Sequence, residues 1–520
     1  MSSDAIVFII YLLALLFVGL YFSRKASKSA DQYLLGGRNV GPAVTALTMQ
    51  STSMSGYMFM GGPALAFQQG WYALWYALGD AGGAIVNLSV LGKRMRRMSE
   101  ILGALSPIEY LEKRYESGAV RIIGSVISII FLFAYVFAQF IASGKALESL
   151  TGLPYTWALI IGVGVIIAYT VTGGYLAVVW TDFIQGIIMV VGVVGIAILG
   201  FSKLGGLSGL NERLGQMDAS YLSIWGKDLA YIGQWGVVLG AVLIYSIGYM
   251  GLPHVVVRHM SMKSTKTVKS AIMYAATWNQ LFVFAPYLLG LMAIVLIPNL
   301  SDPEMVIPTL AYEFFPGIMA AILLSAVMAA IMSTSDSILM QTGTILSRDI
   351  YQRFIDKNAS QNKMVLVSRL CILAAGVIGV IVAIYQPPSV FTLVIFAFGV
   401  LGNSFMVPYI TSVYSKKSNS IGVLCAMIGG GTTNILWTSM DLQTITAIHP
   451  FLAGLVISIL GMVIGNKFGS APSQPIQDAF EKSKGDRRIP RSIDKNISRD
   501  LSPEARNISK FIQANQPIKG

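Results

Sequence analysis

The stretch STSMSGYMFMGG (residues 51–62) decides how this chain folds. It lies between VGPAVTALTMQ and PALAF, within a run that is otherwise apolar enough to cross a membrane. Glycines and hydroxyl residues near the middle of such a run loosen a helix and place polar groups at membrane depth. The stretch therefore predicts a membrane helix that is interrupted near its centre.

The composition of the whole chain is typical of a polytopic membrane protein. Of 520 residues, 54% are hydrophobic and 12% are charged, and the mean hydropathy is +0.66; soluble domains carry about 25% charged residues. The first apolar block begins with an acid and lacks a basic n-region, which predicts an uncleaved span. Apolar blocks of about 20 residues predict thirteen spans, at 4–22, 41–67, 72–92, 121–146, 156–174, 179–202, 229–252, 271–297, 316–342, 364–385, 390–413, 419–438 and 448–466.

The basic residues predict the orientation of the chain. With the N-terminus outside and the C-terminus in the cytoplasm, all but four of the 37 lysines and arginines fall in inner segments. The exceptions are Lys145, Lys203, Arg213 and Lys227. The net charge of +12 is thus a topology signal, and basic residues scattered among loops do not indicate a nucleic-acid partner.

A second interruption falls in the seventh span, where YSIGYMGLPHVVVRHM (245–260) contains Gly248, Gly251 and Pro253. Interrupted spans five apart, the second and the seventh, favour two halves of opposite topology with a transporter binding site between them. Close helix packing through small residues is the alternative. His254 and Arg258 follow the break and are expected to face the cytoplasm.

The ninth span contains LLSAVMAAIMSTSDSILM (323–340), in which Ser333, Asp336 and Ser337 share one helix face. A carboxylate at this depth is costly unless it is paired or binds an ion. Asp182, at the start of the sixth span, is a second acid near the membrane boundary, where a helix-dipole role is the alternative. Asp80 is a third buried acid, for which the sequence indicates no role.

Four stretches occur in order: residues 33–67, GGYLAVVWTDFIQG, GLPHVVVRHM and LLSAVMAAIMSTSDSILM. Together they resemble the sodium/solute symporter family from about residue 5 to 468. The resemblance implies an all-α membrane protein with the LeuT-type 5+5 inverted repeat, one extra span before the repeats and two after. It divides the chain into a first span and cytoplasmic loop (1–40), a first repeat (41–202), an extracellular loop (203–228), a second repeat (229–415), two C-terminal spans (416–468) and a disordered cytoplasmic tail (469–520).

The resemblance also implies which residues bind sodium and solute. The family's sodium site corresponds here to Ser51, Met54, Ala330, Ser333 and Thr334. A second sodium site, present in some members, would take Asp182, Asp336 and Ser337 together with Ser333. The solute would contact Ser53, Ser55, Gly56, Tyr57, Tyr245, Tyr249 and Pro253, although the tyrosines beside the breaks could equally serve packing.

One departure from the family bears on the solute. Where sodium/proline symporters have an aspartate in the first break, this chain has Ser53, and Asp336 is hypothesised to replace the missing charge from across the cavity. Ser53 weakens the assignment of proline, but the resemblance still favours proline or a related small amino or carboxylic acid, with pantothenate or another monocarboxylate as the alternative.

The predicted function is sodium-coupled symport by alternating access in the plasma membrane. A monomer embedded in the lipid bilayer, with Na⁺ and a small solute as its partners, needs no cofactor beyond the coupling ion. No phosphate loop or hydrolase motif is present, so the chain is not predicted to be an enzyme. A cation channel, a transporter-like sensor and proton coupling remain alternatives.

Overall fold

The computed structural model describes residues 3–314, 318–385 and 390–485. Over these ranges the chain is helical, and the only strand-like pairing is an isolated parallel bridge between Val40 and Met262. The first part of the chain forms α1 (Ser3–Ala26), α2 (Ala30–Leu35), α3 (Pro42–Ser53), α4 (Gly62–Gln69), α5 (Leu74–Asn87), α6 (Lys93–Ile101), α7 (Pro107–Tyr115), α8 (Gly118–Thr151) and α9 (Tyr155–Leu204).

The second part continues with helices of similar length after the loop that follows α9. They are α10 (Gly206–Met217), α11 (Trp235–Ser246), α12 (Pro253–Ser261), α13 (Thr265–Phe282), α14 (Ala285–Leu296), α15 (Val306–Phe314), α16 (Ile318–Thr344), α17 (Gln361–Ile384), α18 (Val390–Tyr414), α19 (Ser420–Ser439), α20 (Leu442–Thr446), α21 (Pro450–Gly465) and α22 (Gln474–Lys484). Residues Tyr57–Gly61, Leu88–Gly92 and Ile345–Ile355 are π-helical extensions.

The helices sort into a buried centre and a lipid-facing periphery. Among the described residues, nine helical runs are long and apolar enough to cross a membrane, and α11 and α21 are shorter apolar helices. α16 is almost wholly buried and packs on α9, α8 and α3, whereas α1 and α17 expose leucines and isoleucines. This is the distribution expected of an all-helical polytopic membrane protein, in which only peripheral helices meet lipid.

Both predicted interruptions are present. α3 ends at Ser53, and Met54 has non-helical backbone angles (φ −92°, ψ 74°) before the chain winds again from Tyr57. α11 ends at Ser246, a single 3₁₀ turn follows, and Leu252 is extended before Pro253 starts α12. Proline suits a first helical turn because the missing N–H has no helical partner there.

The predicted spans differ from the observed helices in three places. The seventh was expected to end at 252, yet α12 continues it to Ser261. The eighth span has an interruption of its own between Phe282 and Ala285, where α14 starts with a proline in its first turn. The predicted boundary between the fifth and sixth spans is a bend within α9 at Gly174 (φ 58°).

The expectation of a disordered tail is wrong for residues 474–484, which form α22 and pack against α6. Phe480 is buried, and Arg97 donates a 3.1 Å hydrogen bond to a carbonyl in the last turn of α22. An aromatic residue within a charged segment therefore supplied enough apolar surface to dock the helix. Residues 486–520 lie outside the described part of the chain.

A charged cluster joins α7 to the start of α8 and to the π-helical extension that follows α16. Arg348 binds Glu109 through two nitrogens at 3.0 and 2.9 Å, and Arg121 binds Asp349 at 2.9 Å. Burial alone would raise the pKa of Glu109, but Arg348, Lys113 and Arg121 hold it well below its ordinary value. The cluster holds these helix ends together.

The second break depends on a close approach between backbones. A Cβ at Gly251 would lie 2.6 Å from both Cα and O of Gly402 on α18, and backbone atoms cannot move aside cheaply. We expect Gly251→Ala to lower the free energy of unfolding by about 1–3 kcal/mol, measured by thermal unfolding in detergent. Gly164→Ala is the matched control, because a Cβ there meets nothing within 4 Å; equal melting temperatures for the two variants would contradict the prediction.

Candidate functional site

The end of α3 lies against the middle of α16. The Ser333 hydroxyl lies 3.0 Å from the Ser51 carbonyl oxygen and 3.1 Å from that of Ala330. The Thr334 hydroxyl lies 3.0 Å from the Thr52 carbonyl oxygen and 3.5 Å from that of Ser51. All of these residues are buried, so the contacts form a compact cluster of neutral oxygens inside the protein.

The break explains why these carbonyls are available. The last four carbonyls of a helix have no partner within it, and the C-terminal end of the helix dipole is negative. Carbonyls at such half-helix ends suit a small hard cation. Four of the five predicted sodium residues meet here. Thr52, which was not predicted, joins them through its carbonyl. The α16 hydroxyls donate hydrogen bonds to the carbonyls of Ser51 and Thr52. Among the described residues they form none with Met54, the fifth predicted residue.

A second polar cluster surrounds Asp182 on α9. Its Oδ2 accepts hydrogen bonds from the hydroxyls of Thr48 and of Thr52, the latter at 3.2 Å, and lies 3.4 Å from the Ser337 hydroxyl. Nη2 of Arg258 lies 3.1 Å from the same oxygen. Asp182 and Ser337, predicted as sodium ligands, therefore share a guanidinium.

The position of Arg258 corrects the expectation that it faces the cytoplasm with His254. Both side chains are buried, with exposed fractions of 1% and 0%. Nη2 of Arg258 donates to Thr52 at 2.7 Å and also to Ser337. The reason is the continuation of the seventh span through α12, which keeps the residues after the break inside the helix bundle.

Asp336 is turned towards α9. Its Oδ2 accepts a 2.7 Å hydrogen bond from the Tyr169 hydroxyl and lies 3.3 Å from the Thr181 hydroxyl. The Oδ1 atoms of Asp336 and Asp182 are both buried without a hydrogen-bond partner among the described residues. Among the described residues Arg258 is the only guanidinium in the cluster, so two ionised carboxylates leave one negative charge and two open oxygens.

α8 holds the first break in place. The Gly56 N–H donates to Oε1 of Gln139 at 2.8 Å, and Nε2 of Gln139 lies 3.4 Å from the Ser55 hydroxyl. The Tyr135 hydroxyl donates to Ser55 at 3.2 Å. Two of the predicted solute residues are thus bound to a neighbouring helix, through partners on α8 that the sequence did not single out.

The tyrosines predicted beside the breaks do come together. The rings of Tyr57 and Tyr245 stack at 4.7 Å, and the hydroxyls of Tyr57 and Tyr249 are 3.2 Å apart. Ser53 bends its hydroxyl back to its own helix, 2.6 Å from the Met49 carbonyl oxygen. Pro253 is buried at the start of α12. The first and second breaks therefore meet through aromatic side chains.

A residue without a predicted role completes this contact. The hydroxyls of Tyr57 and Tyr249 each donate to one oxygen of Asp80, and the Tyr249 hydroxyl also lies 3.4 Å from the Ser53 carbonyl oxygen. The Tyr249 hydroxyl thus links the Asp80 carboxylate to the backbone of Ser53. Asp336 binds α9 side chains, and its replacement of a charge at Ser53 stays a hypothesis.

Comparison with known proteins identifies the family of the chain. The family model described as "Sodium:solute symporter family" matches residues 33–430. The chain belongs to the sodium:solute symporter family. The chain is similar to the osmoregulated proline transporter OpuE of Bacillus subtilis, with 31% identity over 91% of this chain and 96% of that protein. The high-affinity proline transporter PutP of the same organism is 32% identical over 88% and 97%.

Solved structures share the fold. A Na⁺-coupled sialic acid symporter in a substrate-bound outward-open state superposes with a TM-score of 0.74, at 22% identity, over 91% of this chain and 99% of that one. The nucleobase-cation-symport-1 family transporter Mhp1, in a closed conformation, gives a TM-score of 0.54 at 16% identity over 87% and 98%. This member of the sodium:solute symporter family is therefore a sodium-coupled solute symporter and not an enzyme.

The buried pair of Asp182 and Arg258 makes a prediction about stability. Removing one partner leaves an unpaired buried charge, so Asp182→Asn and Arg258→Gln should each cost about 3–5 kcal/mol. The double variant should cost clearly less than the sum, which a double-mutant cycle of detergent unfolding measures. The partly exposed pair of Lys145 and Asp302 serves as the control. Its interaction should contribute about 0–1 kcal/mol to the free energy of unfolding. Additive losses at Asp182 and Arg258 would contradict a paired role.

Proposed function

We propose that this symporter imports proline or a closely related small amino acid with sodium, by alternating access. The observation that carries the sodium site is the contact of the Ser333 and Thr334 hydroxyls with the carbonyls that end α3. A sodium ion bound among these oxygens would hold the half-helix before the break against α16. Because coupling is reciprocal, sodium that raises solute affinity must itself bind more tightly when solute is present.

The proposed solute is supported by the relatives. The proteins from Bacillus subtilis are named as proline transporters, and a sodium/proline symporter from Staphylococcus aureus is 29% identical over 91% of this chain. The aromatic contact between Tyr57, Tyr245 and Tyr249 gives a small ring an apolar wall. Pantothenate, which is larger than proline, is the alternative solute.

The cluster around Asp182 fits a second monovalent cation. Two carboxylates and one guanidinium leave a charge of −1, and each carboxylate has an open oxygen. We assign this place to a second sodium, bound by Asp182 and Asp336 while Arg258 keeps Ser337 and the other Asp182 oxygen. A proton on Asp336 would also balance the charge, and the two cases differ in their dependence on sodium and on pH.

The proposed architecture has thirteen spans, with inverted repeats at 41–202 and 229–415. The interrupted helices at 42–69 and 235–261 would be the first helices of the two repeats. The distribution of basic residues supports an outer N-terminus, a cytoplasmic C-terminus and insertion in the plasma membrane. We propose a monomer as the transporting unit, since both breaks and α16 come from one chain.

The first sodium site is tested by removing its hydroxyls. We expect Ser333→Ala and Thr334→Ala each to raise the sodium concentration for half-maximal proline uptake about tenfold, the effect of losing about 1.4 kcal/mol of binding. Uptake into proteoliposomes under an imposed sodium gradient measures this. Ser335→Ala is the matched control, because its hydroxyl bonds to the Ile331 carbonyl of its own helix at 2.7 Å. Equal shifts in all three variants would refute the assignment.

The second cation is tested by neutralising Asp336. We expect Asp336→Asn to reduce the steepness of the sodium dependence, from a Hill coefficient above one in the parent protein to about one, because one of two coupled sodium sites is lost. Uptake is measured against sodium at several pH values. If the variant keeps the parent's sodium dependence but loses its dependence on pH, the second cation is a proton and not a sodium ion.

A further inference from the structure

Asp80 stands apart from the sodium clusters and lies where the two breaks meet. Its two carboxylate oxygens accept from Tyr57, which follows the first break, and from Tyr249, which lies within the second. The side chain is buried, with an exposed fraction of 2%. Among the described residues none of the ion pairs includes Asp80, so phenol hydroxyls alone face this charge.

The helix that carries Asp80 is fixed for this contact. Nδ2 of Asn279 on α13 donates to the Asp80 carbonyl at 2.7 Å. On the next turn of α5, a Cβ at Gly83 would lie 2.6 Å from the Tyr245 carbonyl oxygen and 2.7 Å from the Tyr249 ring. Only glycine allows α5 to approach the second break so closely. The carboxylate is therefore placed at the break by helix packing as well as by its own hydrogen bonds.

Further aromatic rings pack against the two tyrosines that bind this carboxylate. Tyr245 stacks on Tyr57 at 4.7 Å and meets the edges of Phe398 at 5.0 Å and Tyr76 at 5.9 Å. Tyr249 also meets Phe398 at 5.0 Å. We call these five rings, Tyr57, Tyr76, Tyr245, Tyr249 and Phe398, the aromatic cage.

The cage contains a polar group with no partner. The Tyr245 hydroxyl is fully buried and has no hydrogen-bond partner among the described residues. Buried hydroxyls normally have a partner, because leaving one unpaired costs free energy. A phenol at the junction of two interrupted helices indicates that this junction receives a polar ligand.

An acid within an aromatic cage is the chemistry that recognises an organic cation. Ring faces attract a cationic head, ammonium groups above all, while the carboxylate supplies the opposite charge. The proposed sodium sites lie elsewhere, at the carbonyls and hydroxyls around Ser333 and at Asp182. The combination suits an ammonium group that carries carbon substituents, which can contact ring faces and carboxylate together.

We propose that Asp80 is the specificity residue of the solute site and binds the protonated or quaternary ammonium group of the solute, inside the aromatic cage. The proposal rests on the proposed symport function and narrows it to solutes that carry an ammonium group. Binding requires the tyrosine hydroxyls to share the carboxylate with the solute nitrogen, and Tyr245 to give up its stacking on Tyr57. A monocarboxylate without a basic nitrogen would leave Asp80 facing another negative charge and is excluded.

The test compares ligands that differ at the nitrogen. Proline, N-methylproline and glycine betaine carry ammonium groups, whereas cyclopentanecarboxylate, which has the ring of proline without its nitrogen, and pantothenate do not. Binding to the full-length protein is measured by thermal shift and by competition in sodium-containing detergent. We expect the parent to bind at least one ammonium-bearing ligand at least 30-fold more tightly than cyclopentanecarboxylate.

The variants assign this preference to Asp80. Asp80→Asn should weaken the ammonium-bearing ligand at least 30-fold and should not weaken cyclopentanecarboxylate, which no longer faces a negative charge there. Asp80→Glu should keep part of the preference. Asp302→Asn makes the same chemical change in a partly exposed side chain and should behave as the parent. A sodium-induced thermal shift in Asp80→Asn shows that this variant is folded and still binds the ion.

Three results overturn the proposal. They are an unchanged preference in Asp80→Asn, an equal loss of both classes of ligand, and binding by the parent of pantothenate or cyclopentanecarboxylate in preference to every ammonium-bearing ligand. Sodium-driven uptake of pantothenate would leave symport intact while removing the role of Asp80. Loss of sodium dependence in the parent would instead remove the proposed symport mechanism, so the two failures are distinguishable.

Discussion

A helix that breaks inside a membrane exposes backbone groups, and these must find partners within the protein because lipid offers none. In this chain α8 and α16 supply them for the first break, through Gln139 on one side and the hydroxyls of Ser333 and Thr334 on the other. The position of the central helix is thus tied to the break. A sodium ion that binds the same carbonyls would act on the contact that holds the helices together.

Buried charge imposes the second constraint. Arg258 serves as an internal cation for Asp182 and also bonds to α3 and α16 through Thr52 and Ser337. A guanidinium can bridge several helices at once because its donors point in fixed directions. The helix that follows the second break is thereby attached to the helix that precedes the first.

Both breaks could be predicted from the sequence, because glycine, proline and serine in an apolar run disrupt the helix at the position where they occur. The neighbours of Ser333 could be predicted by family resemblance, whereas the partner carbonyl on Thr52 depends on how α3 and α16 meet in register. Arg258 was misplaced because basic residues near a predicted span end are read as loop residues. Asp80 could not be assigned because its partners, Tyr57 and Tyr249, are separated from it by 23 and 169 positions.

The first break is the element through which ion and solute can influence each other. Its carbonyls at Ser51 and Thr52 face α16, and five residues after Thr52 Tyr57 binds Asp80 and stacks on Tyr245. An ion that orders the end of α3 would also fix the position of Tyr57. A solute that displaces Tyr245 would remove the ring that stacks on Tyr57. The proposed coupling would therefore need no long pathway, because residues 51–57, which include the break, would contribute to both proposed sites.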